Sequence, residues 1–199
     1  MDSLRSNQVT NEQAFDKGLK AAQARFTGGI SPIALTAAFS DWALHLGSSP
    51  GKQLELLETA AKKAKRFGNY AVECGRDPAG ACDCIEPLPQ DSRFRGEAWQ
   101  KWPFKMMSQA FLLNQQFLHN MTSNVEGVTP QHEDVVTFTT RQMLDVFSPS
   151  NFALTNPEVL NKTMAQGGMN LVRGWQNFVE DTMRANEGKK PLGIDAFEV

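Results

Sequence analysis

The sequence predicts an all-α protein, and three observations carry that reading. Five of the ten prolines follow a Ser, Thr or Asn, at Ser31-Pro32, Ser49-Pro50, Thr129-Pro130, Ser148-Pro149 and Asn156-Pro157. A polar side chain before a helix accepts hydrogen bonds from the free N–H groups of the first turn, and Pro at the next position gives up an N–H that had no partner there. Strand-type alternation of Val, Ile and Thr is nearly absent, and no Asn-Gly or Asp-Gly hairpin signal occurs. Near the C-terminus apolar residues recur at helical spacing.

Each element follows from this punctuation. A first helix is expected from about Glu12 to Phe26, between Asn11 and Gly28-Gly29. A second starts at Pro32, carries Ile33, Leu35, Phe39, Trp42 and Leu46, and stops at Gly47. The third runs from Pro50 to about Tyr70. From Asp77 to Gln90 the composition turns to Asp, Pro, Gly and Cys, which is loop chemistry. A helical stretch follows from about Glu97 to Val125, bent or restarted at Pro103, then another from Pro130 to Phe147 and a short turn from Pro149. The last helix places Leu160, Met164, Leu171, Trp175 and Phe178 on one face. Gly167-Gly168 lies within it at a cost of about 1 kcal/mol per Gly relative to Ala, which points to close approach by another backbone.

Composition excludes several classes. The 199 residues carry a net charge of −2, with 41% hydrophobic and 21% charged residues, a globular balance and not a polyelectrolyte's. Near-neutral charge lacks the Lys and Arg surplus of a nucleic-acid face. The apolar runs fall far short of the ~20 residues that cross a bilayer. Met1-Asp2-Ser3-Leu4-Arg5 lacks a basic-then-apolar secretion pattern, and three cysteines form no even framework, so a reducing cytoplasm with unbonded thiols is expected.

Chemistry-bearing motifs are few. His45, His119 and His132 are far apart and fit no ligand pattern. No phosphate-cradling glycine loop occurs, and Gly28-Gly29 before Ser31-Pro32 reads as a turn more readily than as an anion site. Cys74, Cys82 and Cys84 supply three local thiols where a closed zinc site needs four ligands, so no metal or cofactor is expected. Gly80-Ala81-Cys82-Asp83-Cys84 lacks the final Gly of a nucleophile elbow. The basic run Lys62-Lys63-Ala64-Lys65-Arg66 reads as a solvated helix face balanced by Glu55 and Glu58. Trp99 and Trp102 stand three apart, on one side of a helical turn, and are expected to anchor it by burial.

Three blocks resemble the N-terminal region of polyhydroxyalkanoate synthases, the class that includes poly-β-hydroxybutyrate polymerase. The first is Phe26 to Leu35, with Asp41-Trp42, His45 and Ser49 to Gln53. It is similar to a short extension at the front of these enzymes. The second is Asp91-Ser92-Arg93-Phe94 with Trp99, Pro103 and Phe111 to Asn114; the third is Ser148 to Glu158, with Gly167-Gly168 and Asn177 to Asp181. Ala196 to Val199 resembles the join to the catalytic domain. Residues 71–86 have no counterpart in the family pattern.

The resemblance implies an acyltransferase assembly that polymerises hydroxyacyl groups from coenzyme A thioesters, with a Cys-His-Asp set on an α/β-hydrolase domain. No Gly-x-Cys-x-Gly occurs here, so no catalytic residue carries over and that domain would lie beyond Val199. The implied organisation is a helical extension at 1–76, a Cys/Pro linker at 77–92 and an irregular helical N-terminal domain at 93–199. The chain is then a non-catalytic module for stability, self-association as a homodimer, and contact with the polymer granule or its coat proteins. Its partner is a polyhydroxyalkanoate catalytic domain, in cis or separate. Packing and interaction candidates are Trp42, Trp99, Trp102, Phe111, Trp175 and Phe178; Trp175→Ala or Phe178→Ala would cost roughly 3–5 kcal/mol if these side chains are buried. The alternatives are a free-standing granule-associated regulatory protein and, last, an independent Cys enzyme built on Cys82 or Cys84.

Overall fold

The computed structural model describes residues 11–26, 31–76 and 84–191. Among them the regular structure is helical throughout, so the all-α expectation holds. The order is α1 (Asn11–Phe26), α2 (Pro32–Gly47), α3 (Pro50–Arg76), a 3-10 turn (Glu97–Gln100), α4 (Phe104–Thr122), α5 (Pro130–Val146), a second 3-10 turn (Pro149–Asn151), α6 (Pro157–Ala165) and α7 (Met169–Asn186).

All five polar-Pro pairs open a helix or turn, but their side chains act differently. Asn156 accepts from the amides of Glu158 (2.9 Å) and Val159 (3.3 Å), and Ser31 accepts from Ala34 at a long 3.5 Å. Ser49 instead turns back and donates to the His45 carbonyl at 2.7 Å. Ser148 makes no capping bond; its hydroxyl pairs with that of Ser150 at 2.9 Å. What the five pairs share is the fixed φ of Pro, which pre-sets the first helical residue.

Two expectations about helix continuity fail. α3 continues beyond Tyr70 to Arg76, so Cys74 stands one turn after Tyr70 on the same face. The last helix is two helices: Gly167 (φ 56°) and Gly168 (φ 86°) adopt the left-handed region, and the Gly168 amide donates to the Thr163 carbonyl at 2.9 Å, closing α6. Space is open around both glycines. Backbone conformation, and not close approach by a neighbour, is therefore what requires them.

The chain divides into two compact units, Met1–Lys62 with Gln115–Met143 and Lys63–Asn114 with Leu144–Val199. In the first, Ala38, Leu56, Val125 and Val136 are buried. Phe39 meets Trp42 edge-on at 6.2 Å, and the Trp42 indole donates to the Met121 carbonyl at 3.1 Å, tying α2 to α4.

In the second unit the core is an aromatic cluster. Tyr70, Cys84, Ile85, Phe94, Trp99, Leu112 and Leu113 are buried together, with Phe67, Cys74, Phe104, Met106 and Phe111 packed against them. Phe94 stands edge-on to Trp99 (4.8 Å) and to Phe111 (5.7 Å), the geometry that ring quadrupoles favour. Gln109 fixes one wall: its Oε1 accepts from the amides of Cys84 (2.9 Å) and Ile85 (2.6 Å), satisfying two buried donors that no regular element would pair.

Candidate functional site

Three arrangements hold the chemistry-bearing side chains. The first lies in the second unit, where Asp91 folds around Arg93: Oδ1 accepts from the Arg93 amide (3.2 Å) and Nε (2.9 Å), and Oδ2 from Nη2 (2.6 Å). The remaining arm, Nη1, donates to Asp145 Oδ1 at 2.7 Å. The guanidinium plane lies over Phe111 at 5.2 Å and Phe94 at 5.6 Å, within cation–π range. The bond to Asp91 holds the Arg93 guanidinium above its ordinary value against the effect of burial, with Asp145 adding to it. The clamp thereby secures the entry to the aromatic cluster to the end of α5.

The connector after α5 is equally well tied. Asn151 Nδ2 donates to the carbonyls of Asp145 (2.7 Å) and Val146 (3.2 Å), and Thr155 Oγ1 donates to that of Pro149 at 2.6 Å. Asn156 Nδ2 donates to Ser150 O at 2.7 Å while its oxygen caps α6. Ser148 to Glu158 thus owes its composition to backbone groups that a tight reversal would otherwise strand.

The second arrangement lies in the first unit. Asp41 on α2 accepts from His132 Nδ1 on α5 at 2.7 Å through Oδ2, and its Oδ1 is 3.0 Å from His45 Nδ1. The Thr129 amide points to Oδ2 at 3.4 Å. The His132 hydrogen bond is the main cause that holds the Asp41 carboxyl below its ordinary value, against the opposing effect of burial. Gly127, at φ 90°, lies so close to the His45 ring that a Cβ there would stand 2.3 Å from Cδ2. Sequence reading left the three histidines apart; Asp41 and His45, four apart on one helix, were the only legible part of this cluster.

The third is the face of α7. Met169, Leu171, Val172, Trp175, Phe178 and Met183 are exposed, and the Trp175 and Phe178 rings lie 5.6 Å apart. Trp175 is 66% and Phe178 61% exposed, so the burial on which a large loss from their truncation depends is not met in this chain. Periodicity identified an apolar stripe correctly, but a stripe does not say what covers it.

The other candidates separate in the same way. Trp99 is buried at 1% exposure, whereas Trp102 is 76% exposed. The 3-10 turn ends at Gln100 and Lys101 is extended (ψ 144°), so the one-turn relation between the two indoles is lost. Trp42 is half-buried against α4, and Phe111 half-buried under Arg93.

The thiols also depart from expectation. Cys74 is disulfide-bonded, and the extended α3 sets it against the aromatic cluster. Cys84 is free and buried. Burial pushes its thiol up, more than the neighbouring Arg66 and Lys63 pull it down. Lys63 is itself held low, chiefly by burial, so the basic run is not uniformly solvated; Lys62 does pair with Glu58 at 3.5 Å. Cys82 and Gly28-Gly29 lie outside the described residues. Among the described residues no group of three or more His, Cys, Asp or Glu is arranged to hold a metal ion, and no helix is long and apolar enough to cross a membrane.

A helical protein with a clamped aromatic core and a last helix whose apolar face is exposed is defined by its fold as an all-α module. Comparison with known proteins specifies the class. Residues 90–199 match the N-terminus of poly-beta-hydroxybutyrate polymerase, and residues 10–52 match a second N-terminal segment of the same polymerase. The chain belongs to the poly-beta-hydroxybutyrate polymerase family, in its N-terminal region. It is 38% identical over 98 residues to the poly(3-hydroxyalkanoate) polymerase of Methylorubrum extorquens, covering 49% of this chain and 16% of that one. It is 35% identical over 114 residues to a polymerase subunit of Rhizobium etli (54% and 18%), and 33% identical over 121 residues to that of Cupriavidus necator (60% and 20%). The chain therefore spans at most about a fifth of these relatives' length. No solved structure matches it.

Proposed function

We propose that this chain is the helical N-terminal portion of a polyhydroxyalkanoate polymerase and performs no catalysis by itself. It steadies an attached catalytic domain, which joins hydroxyacyl groups from coenzyme A thioesters, and it mediates self-association and contact with the polymer granule or its coat proteins in the cytoplasm. In this reading residues 93–199 are the polymerase's helical N-terminal domain, 77–92 a linker and 1–76 an extension; separate family matches at 90–199 and 10–52 support that division.

The observation that carries the reading is the α7 face. A contiguous stripe with Leu171, Trp175 and Phe178 open to solvent is costly in a monomer, since each large side chain forgoes about 1.5–3 kcal/mol of burial. The test is to incubate the isolated chain with hydroxybutyryl-coenzyme A. No thioester turnover is expected; turnover that disappears in a Cys82→Ala variant would refute the non-catalytic assignment.

A further inference from the structure

We propose that the apolar face of α7 docks, within one polypeptide, into an apolar groove on the part of the polymerase that the matched relatives carry beyond this segment. The proposal rests on the reading above and names the one partner this helix serves.

The helix lies open on all sides. Every residue from Leu171 to Phe178 is exposed, and among the described residues none of α7 is buried. At 3.6 residues per turn, Leu171, Val172, Trp175, Phe178 and Met183 span about 140° of its circumference. Arg173, Glu180, Asp181 and Arg184 all fall outside that arc.

Charge and width decide between occupants. Two basic residues against two acidic ones leave α7 no net charge to draw it to an anionic lipid surface. A second copy paired helix to helix covers only a narrow seam. Phe178 and Met183 stand at opposite edges of the arc, so one partner helix would leave one of them wet. A groove that wraps the helix covers both.

Area points the same way. Taking about 150–250 Å² for a whole aromatic side chain, the exposed arc amounts to roughly 600 Å². Two such arcs pressed fully together would only just reach the ~1,200 Å² at which stable bimolecular interfaces begin. Between domains of one chain about 600 Å² suffices, because the tether holds the partner at a local concentration of order millimolar. The relatives supply a body large enough to form the groove, since the segment matched here occupies at most about a fifth of their length.

The experiment is hydroxyl-radical footprinting read by mass spectrometry, which reports solvent access to Trp, Phe and Met without any substitution. A full polymerase carrying this segment is compared with the isolated chain, at low and high protein concentration, before and after polymer is made. Trp175 and Phe178 are expected to oxidise at least about tenfold more slowly in the polymerase, as a docked-to-free ratio of about ten requires. That protection should be equal at both concentrations and present before any polymer. Trp99, already buried, should oxidise slowly in both samples. Equal oxidation of Trp175 in the two proteins would overturn the proposal. So would protection that appears only at high concentration, which marks a second copy, or only once polymer is present, which marks the polymer surface. The footprint does not measure turnover: an open α7 in the polymerase would leave the non-catalytic assignment standing, and thioester turnover by the isolated chain would refute that assignment without changing the footprint.

Discussion

Arg93 Nη1 lies 2.7 Å from Asp145 Oδ1, a bond that spans 52 positions of sequence while the rest of the same guanidinium is wrapped by Asp91 two residues away. The two carboxylates are unequal. The Asp91 side chain is almost fully buried, at 4% exposure, whereas Asp145 is at 36%.

That inequality predicts unequal losses. Arg93→Ala removes the two-toothed guanidinium partner of the buried Asp91 carboxylate and should destabilise the protein by about 3–5 kcal/mol. Asp145→Ala, which removes the wetter partner, should cost about 1 kcal/mol or less. Urea unfolding of both variants checks the order.

Trp99 and Trp175 should behave oppositely. Trp99→Ala empties the centre of the aromatic cluster and should cost about 3–5 kcal/mol. Trp175→Ala and Phe178→Ala, on an exposed face, should each stay within about 0.5 kcal/mol in the isolated chain. Urea midpoints measured side by side give the comparison.

The contrast marks how far sequence reading reaches. Polar-Pro pairs are local signals, and all five open an element because Pro acts on its own φ. Apolar spacing is local too, and it passed straight through Gly167-Gly168, since periodicity does not register a left-handed turn. What covers Trp175, why Trp102 faces water and how His132 finds Asp41 depend on contacts between distant segments. Those are invisible in spacing. Cys74 is an intermediate case: once α3 is extended past Tyr70, its face is predictable, but its bond is not.

Gly127 should resist substitution more strongly than Gly167. Both have positive φ, which costs an Ala about 1–2 kcal/mol. At Gly127 the added Cβ also collides with the His45 ring, while Gly167 faces open space. Gly127→Ala should therefore lower the thermal midpoint by more than Gly167→Ala, and calorimetry of the two chains would decide.

Asp41 should make stability depend on pH in one direction. Its carboxyl is held below its ordinary value of 3.8, first by the His132 hydrogen bond. A depressed carboxylate contributes fully above the unfolded value and loses that contribution as pH falls from there through the lower folded value. The stability gap between the native chain and Asp41→Asn should thus be steady near neutrality and close progressively below pH 3.8. Urea melts from pH 7 to pH 2.5 would show a gap that persists in acid if the carboxylate were not responsible.

The central claim is that the α7 face is for contact and not for folding. The decisive measurement is polymer synthesis by a polymerase carrying this segment with Trp175→Ser and Phe178→Ser together, alongside the urea midpoint of the isolated variant chain. The account predicts an unchanged midpoint with synthesis reduced at least about tenfold, as expected when a contact worth more than about 1.4 kcal/mol is lost. Full synthesis by the double variant, or a collapse of the isolated chain's own stability, would contradict it.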